Sequence, residues 1–159
     1  MLISQKIEVE FNNQIGNELG NSHQYLAIAA YFEKEGLFGL AKIYSKQADE
    51  EREHAMKFVK FLLDAGGTPR YPAIPEPRNT FSSAVEAAQL AYDSEVRTTD
   101  QIYALVELAL AERNHIAHNF LQWFVSEQLE EVSSADTRLS VIRRAGPNVL
   151  MVEAYLAHA

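Results

Sequence analysis

The sequence predicts an all-α protein: a four-helix bundle with one long crossover loop and a short fifth C-terminal helix. Three observations predict it. Apolar side chains recur at steps of three and four along four long segments, as they do in helices that bury one face. Four of the five prolines (Pro69, Pro72, Pro75 and Pro77) fall between residues 66 and 81, so an extended connection divides the chain into two halves. Gly146-Pro147 then breaks the fourth segment from a last apolar stretch. The 159 residues suit one domain, 1–159.

The first helix is predicted over about residues 4–35. Ser4 can cap it, and Ile7, Phe11, Glu18, Tyr25 and Phe32 form its stripe. Gly36 is placed to end it. The second runs over about 38–65, with Ile43 or Tyr44, Gln47, Glu51, His54, Phe58 and Phe61 on one face, and Gly66-Gly67 stops it. The proline-rich connection can span roughly 50 Å at about 3.3 Å per residue. A helix of about 28 residues is roughly 42 Å long. The loop can therefore return along a whole helix, which leaves helices two and three free to run parallel. The third helix, about 82–111, opens with a capping-box signal from Ser83 and Glu86, and its stripe is Ala84, Ala88, Ala91, Glu95, Ile102 and Ala109. A turn from Glu112 to Asn114 leads to the fourth, about 115–144, with Phe120, Phe124, Glu127, Glu131 and Ser134 as its stripe and Arg143-Arg144 complementing the dipole at its end. Asn148 caps the fifth, about 148–157. Val149, Leu150, Met151, Val152, Tyr155 and Leu156 make it apolar on most sides and it is too short to stand alone. With four helices already forming a core, another subunit is its expected packing partner.

Composition excludes several functions. The balance of 14 Lys plus Arg against 22 Asp plus Glu, without a basic stripe, argues against nucleic acid as a partner. No run of about 18 apolar residues is present to cross a membrane. The first residues lack the pattern of a signal peptide, and cysteine is absent. Both fit a cytoplasmic protein, and the second excludes thiolate metal sites. His115 and His118, one turn apart near Glu112, read as a solvated helix start.

The informative feature is acid on the buried stripes. Glu18, Glu51, Glu95, Glu127 and Glu131 lie where packing alone would place apolar residues, and His54 joins them. A buried carboxylate without a partner costs several kcal/mol, roughly. Four helices each bringing one to mid-length need protons or cations between them. Carboxylates with one imidazole form a hard, oxygen-rich set that suits iron or manganese. A faint repeat supports the grouping. A shift of 76 lays Glu51 on Glu127 and His54 on Glu130, and a shift of 77 lays Glu18 on Glu95.

The motifs Asn17-Glu18-Leu19 followed by Tyr25, Glu50-Glu51-x-x-His54, Glu95, and the string from Asn119 to Glu131 resemble those of the prokaryotic non-haem ferritins, within the ferritin-like di-iron family. The pattern is matched to that known arrangement rather than derived, and it covers essentially the whole chain. The resemblance implies iron storage. Fe(II) would be oxidised by O2 at an intrasubunit di-iron ferroxidase centre, and Fe(III) mineral kept in a hollow homo-oligomeric shell of 24 subunits whose four-fold axes the fifth helix lines. It implies one iron held by Glu18, Glu51 and His54. A second would share Glu51 and use Glu95, with Glu131 and Gln128 close by. Glu50, Glu127 and Glu130 correspond to a third iron position, and acids such as Glu53 and Glu130 to mineral nucleation. Tyr25 is placed to give the centre an electron, whereas Trp123 reads as packing. Haem is not expected, because Arg52 stands where the haem-binding relatives carry Met. Two other classes compete with storage: a di-iron oxidase or peroxidase acting elsewhere, and a shell subunit without catalysis.

Overall fold

The computed structural model describes residues 1–157. Its helices are α1 (Gln5–Lys34), α2 (Phe38–Asp64), α3 (Ala84–Ala111), α4 (His115–Ala145) and α5 (Leu150–Ala157). Short polar side chains start three of them. The Ser4 hydroxyl accepts from the Ile7 amide at 3.1 Å, Ser83 from Glu86 at 3.1 Å and Asn114 from Ala117 at 3.0 Å. Each satisfies an amide that the first helical turn leaves without a partner. Gly36 ends α1 at φ +76°, a left-handed backbone that a side chain would strain.

The ends of the bundle fix its topology. The Leu2 amide donates to the Ala65 carbonyl at 2.8 Å, and Asn114 Nδ2 donates to the Leu2 carbonyl at 3.0 Å. The start of α1, the end of α2 and the α3–α4 turn therefore share one end. It follows that α2 and α3 run parallel, as the crossover length permits. Residues of α1 hold the crossover along its path. Asn12 bonds the backbone of Thr68 and Arg70, and Gln24 clasps Arg78 through both amide atoms. At Gly16 the chain passes so close that a Cβ would lie 2.7 Å from Pro72 Cγ.

The core is split in two. One apolar cluster gathers Ile7, Phe11, Phe58, Leu62, Ile102 and Phe124. The other gathers Ile28, Phe32, Leu40, Tyr44, Ala88 and Ile142. Between them lies a buried layer containing Glu18, Glu51, His54, Glu95, Gln128 and Glu131, each no more than 5 % exposed. Hydrophobic burial on both sides holds four helices at a level where nothing apolar joins them.

One sequence expectation changes. The inward line of α4 is Ala117, Leu121, Phe124, Gln128, Glu131, Ala135, Leu139 and Ile142. Phe120 and Glu127 are only partly buried and Ser134 is exposed, so the predicted stripe drifted to the helix edge. A strict seven-residue repeat slips about 20° per heptad on a straight helix, which puts Phe120, Glu127 and Ser134 progressively off the core. The fifth helix docks on its own bundle. Val152 is buried in the second apolar cluster, and the Glu153 carboxylate accepts from the Gly39 and Leu40 amides at 2.8 and 3.1 Å. It thereby caps α2, whose own N-cap position, Leu37, makes no side-chain hydrogen bond. Leu150, Met151 and Tyr155 stay exposed on the far side. Among the described residues no helix is long and apolar enough to cross a membrane.

Candidate metal centre

Glu18 enters the polar layer from α1, Glu51 and His54 from α2, Glu95 from α3, and Gln128 and Glu131 from α4. Single ligand atoms of Glu18, Glu51 and His54 lie within 4.8 Å of one another, and so do those of Glu51, Glu95 and Glu131. Glu51 belongs to both triads, so the two sets of candidate ligands share one carboxylate. A third group joins His54 and Glu131 to Glu127 at the edge. His54 Nδ1 sits 3.4 Å from Glu51 Oε2 and 3.8 Å from Glu18 Oε2, while Nε2 is 3.7 Å from Glu127 Oε1.

Glu18 and Glu51 each have one oxygen held and the other bare, whereas both Glu95 oxygens are held. Glu18 Oε1 accepts from Gln14 at 3.0 Å, and Glu51 Oε1 from Gln47 at 3.1 Å. Gln47 also donates to Glu131 Oε2 at 2.8 Å. Glu95 accepts the Tyr25 hydroxyl at 2.5 Å and the Gln128 amide at 3.2 Å. Glu18 Oε2, Glu51 Oε2 and His54 Nδ1 remain buried without a hydrogen-bond partner. Native interiors seldom leave such atoms bare. Three of them facing one point is the arrangement a cation satisfies, so the donor set fits a hard metal ion.

Without a cation the charges settle through protons. Burial lowers the basicity of His54, but the Glu18 and Glu51 carboxylates outweigh it and carry its pKa up to about 11. Burial pushes Glu18 up, and the nearby His54 imidazolium, with help from Glu51 and Gln14, more than reverses this, leaving it below the ordinary range. Burial raises Glu51 well above the ordinary value and raises Glu95 as well. Burial and then the Glu95 charge push Glu131 to about 8. The layer thus favours a protonated His54 beside the Glu18 carboxylate and draws the other acids toward their protonated forms, and a divalent cation competes with those protons.

Glu127 sits at the edge of this layer, and Glu50 and Glu130 lie outside it. With Glu131 they line a cavity of about 340 Å³ between α2 and α4, whose rim also carries Lys46 and Arg138. Glu53 and Arg52 are exposed, and so are His115 and, in part, His118. Trp123 is 42 % exposed and not simply core packing. Its ring meets the edge of His54 at 5.5 Å, and the Lys57 ammonium lies 4.1 Å over it. Sequence reasoning missed Gln14 as a site residue and left Gln47 as a plain stripe position. The available signal was an amide one turn before each acid, Gln14–Glu18 and Gln47–Glu51, on the same face. The internal repeat also sharpens. A uniform shift of 77 lays Glu18 on Glu95, Glu51 on Gln128 and His54 on Glu131, all buried, in place of the mixed shifts read from sequence.

The model of the ferritin-like domain matches residues 9–145, most of the chain. The chain belongs to the ferritin family. Among its relatives, ferritin BfrB of Mycobacterium tuberculosis is 41 % identical over 152 residues, covering 96 % of this chain and 84 % of the relative. The bacterial non-heme ferritin of Staphylococcus aureus is 32 % identical over 145 residues, covering 91 % and 87 %. Among solved structures, a ferritin of the archaeon Archaeoglobus fulgidus, described as open-pored, superposes with a TM-score of 0.94 at 35 % identity, covering 98 % of this chain and 96 % of that one. Ferritins bind and store iron, and this ferritin carries a buried carboxylate–histidine cluster compatible with a metal site.

Proposed function

We propose that this ferritin oxidises Fe(II) with O2 at the buried centre and stores the resulting Fe(III) as mineral inside a homo-oligomeric shell, with 24 subunits as the expected number. The observation that carries the reading is the convergence of three unpartnered ligand atoms on a pocket whose bridging carboxylate, Glu51, also serves a second triad. Glu18, Glu51 and His54 hold one ferrous ion. Glu95 and Glu131 hold the second with Glu51 as the shared ligand, and Gln128 steadies Glu95. Iron here is the substrate, supplying one electron per ion to oxygen.

The protein's part is orientation and proton handling. Gln14 and Gln47 fix the outer carboxylate oxygens so that the inner ones face the pocket. The apolar clusters above and below keep bulk water out, which strengthens every charge interaction in the layer. Tyr25, hydrogen-bonded to Glu95, is placed to give up an electron while passing its proton to that carboxylate. Glu50, Glu127 and Glu130 form a third iron position in the acidic cavity, between the centre and the storage space. The shell works in the cytoplasm, without nucleic acid or membrane as partner.

Anaerobic Fe(II) loading followed by admission of air tests the assignment, with stoichiometry and absorbance followed in wild type and Glu51→Ala. Wild type should take up two fast-oxidising Fe(II) per chain, and the variant should lose the fast phase. A variant that oxidises iron as quickly as wild type would overturn it. Particle size separates storage from a stand-alone oxidase or peroxidase: a stable monomer or dimer is incompatible with a shell.

A further inference from the structure

The metal centre is approached by two seams of opposite chemistry. Between α2 and α4 the lining is acidic. Between α1 and α3 a second cavity, of about 280 Å³, is lined by Asn17, Gly20, Asn21, Ser94, Arg97 and Gln101, with Pro75 to Pro77 of the crossover at its rim. Its charged groups are one base, Arg97, and one acid, Glu76, so it has no net pull on a cation.

This second cavity leads inward along hydrogen-bonding groups. Asn17 Nδ2 donates to Gln14 Oε1 at 3.1 Å, and Gln14 Nε2 donates to Glu18 Oε1 at 3.0 Å and reaches Gln101 Oε1 at 3.4 Å. Asn21 Nδ2 donates to Thr98 Oγ1 at 2.9 Å, one turn beyond Glu18 and Glu95. Gln14, Asn21, Ser94 and Thr98 are all buried. Leu or Ala at these positions would pack α1 against α3 without the desolvation that buried amides and hydroxyls incur. Hydrogen bonds run from Asn17 at the cavity through Gln14 to the ligand oxygen Glu18 Oε1. At the mouth, a Cβ on Gly20 would meet nothing within 4 Å.

We propose that the α1–α3 seam is the passage for small neutral hydrogen-bonding molecules, water and hydrogen peroxide, while the acidic α2–α4 cavity admits the cation. Uncharged amides and hydroxyls exchange hydrogen bonds with such molecules without trapping a metal ion. Peroxide arriving by the seam takes one electron from each of two bound Fe(II). Its O–O bond breaks, and two protons complete two waters. The inference rests on the function proposed above, so its test separates the two.

The test uses the assembled protein with Gly20→Leu, which fills the mouth and also improves helix propensity, and Gly20→Ser as a small polar control. Co(II) binding under nitrogen, followed by its visible absorbance, reports the centre and the cation route. Stopped-flow mixing of anaerobically Fe(II)-loaded protein with hydrogen peroxide reports the seam. Gly20→Leu should bind Co(II) at the wild-type rate and stoichiometry but oxidise iron at least fivefold more slowly. Gly20→Ser should match wild type in both. Equal oxidation rates in all three proteins would overturn the proposal and leave the seam as packing. A Co(II) rate slowed in step with oxidation would overturn it too, by making the seam the cation route. Failure of wild type itself to bind Co(II) would instead refute the metal centre. Should Gly20→Leu not fold, Asn21→Leu makes the seam apolar one residue further in, with the same two readouts and the same outcomes.

Discussion

Glu131→Gln should stabilise the metal-free protein, and by more as the pH rises. Glu131 is buried, and its pKa is raised to about 8 by burial and the Glu95 charge. Unfolded, it titrates as an ordinary carboxylate near about 4.3. For a pKa raised by folding, the contribution to stability is fully present below the unfolded value and is lost as pH climbs toward the folded one. Between those limits the folded chain keeps a proton that the unfolded chain has released, at a cost of about 1.4 kcal/mol per pH unit. From pH 5.5 to 7.5 that is on the order of 3 kcal/mol, a large part of the roughly 5–15 kcal/mol typical of a domain. Glutamine does not titrate, and its carbonyl oxygen can still accept the Gln47 hydrogen bond that Glu131 Oε2 accepts at 2.8 Å. The assay is equilibrium urea unfolding of chelator-treated wild type and variant at pH 5.5, 6.5 and 7.5. Chain concentration is held fixed, because assembly shifts apparent stability. The advantage of the variant should grow with each step in pH. A difference that stays constant across the range would refute the reasoning, since it would mean that Glu131 is ionised in the folded protein at pH 5.5.

The raised acids and His54 also predict proton release. Zn(II) binding in weakly buffered solution near pH 7 should expel about two protons or more per chain, and affinity should rise with pH because every ligand must be deprotonated; full binding without acidification would show that the acids are already ionised. At the other end of the bundle, Glu153→Ala should cost about 1 kcal/mol, as loss of a helix cap does, and should speed amide exchange at Gly39 and Leu40. Gly39→Ala alone should displace Glu153, because the new Cβ would collide with its carboxylate. The double variant should therefore be scarcely worse than either single one, and additive losses would show that Glu153 does not cap α2.

The fold was legible because it rests on local rules. Ser4, Ser83 and Gly36 mark helix ends through chemistry that needs no tertiary context. The length of the proline-rich segment alone permits the parallel run of α2 and α3. What was not legible depends on rotation and on contacts distant in sequence. On α4 the edge line through Phe120, Glu127 and Ser134 and the core line through Phe124, Gln128 and Glu131 are separated by a fraction of a turn. Only the packing of three other helices decides between them, and that fraction moves Gln128 into the polar layer and Glu127 to its rim. The fifth helix shows the same limit. Its apolar composition says that it must be covered, but its attachment is a charge, Glu153, meeting the bare amides of a helix more than a hundred residues earlier. No pattern within the segment encodes that. The acids on the stripes were conspicuous because they violate the binary pattern, whereas the amides that orient them, Gln14 and Gln47, pass as ordinary polar residues. A metal site therefore announces its ligands in sequence and conceals the groups that hold them. Here those groups keep Glu18 Oε2 and Glu51 Oε2 bare instead of letting them bond to their own scaffold. Replacing Gln47 would free Glu51 and Glu131 to pair with His54, so the geometry of the site depends on two residues, Gln14 and Gln47, that bind no metal.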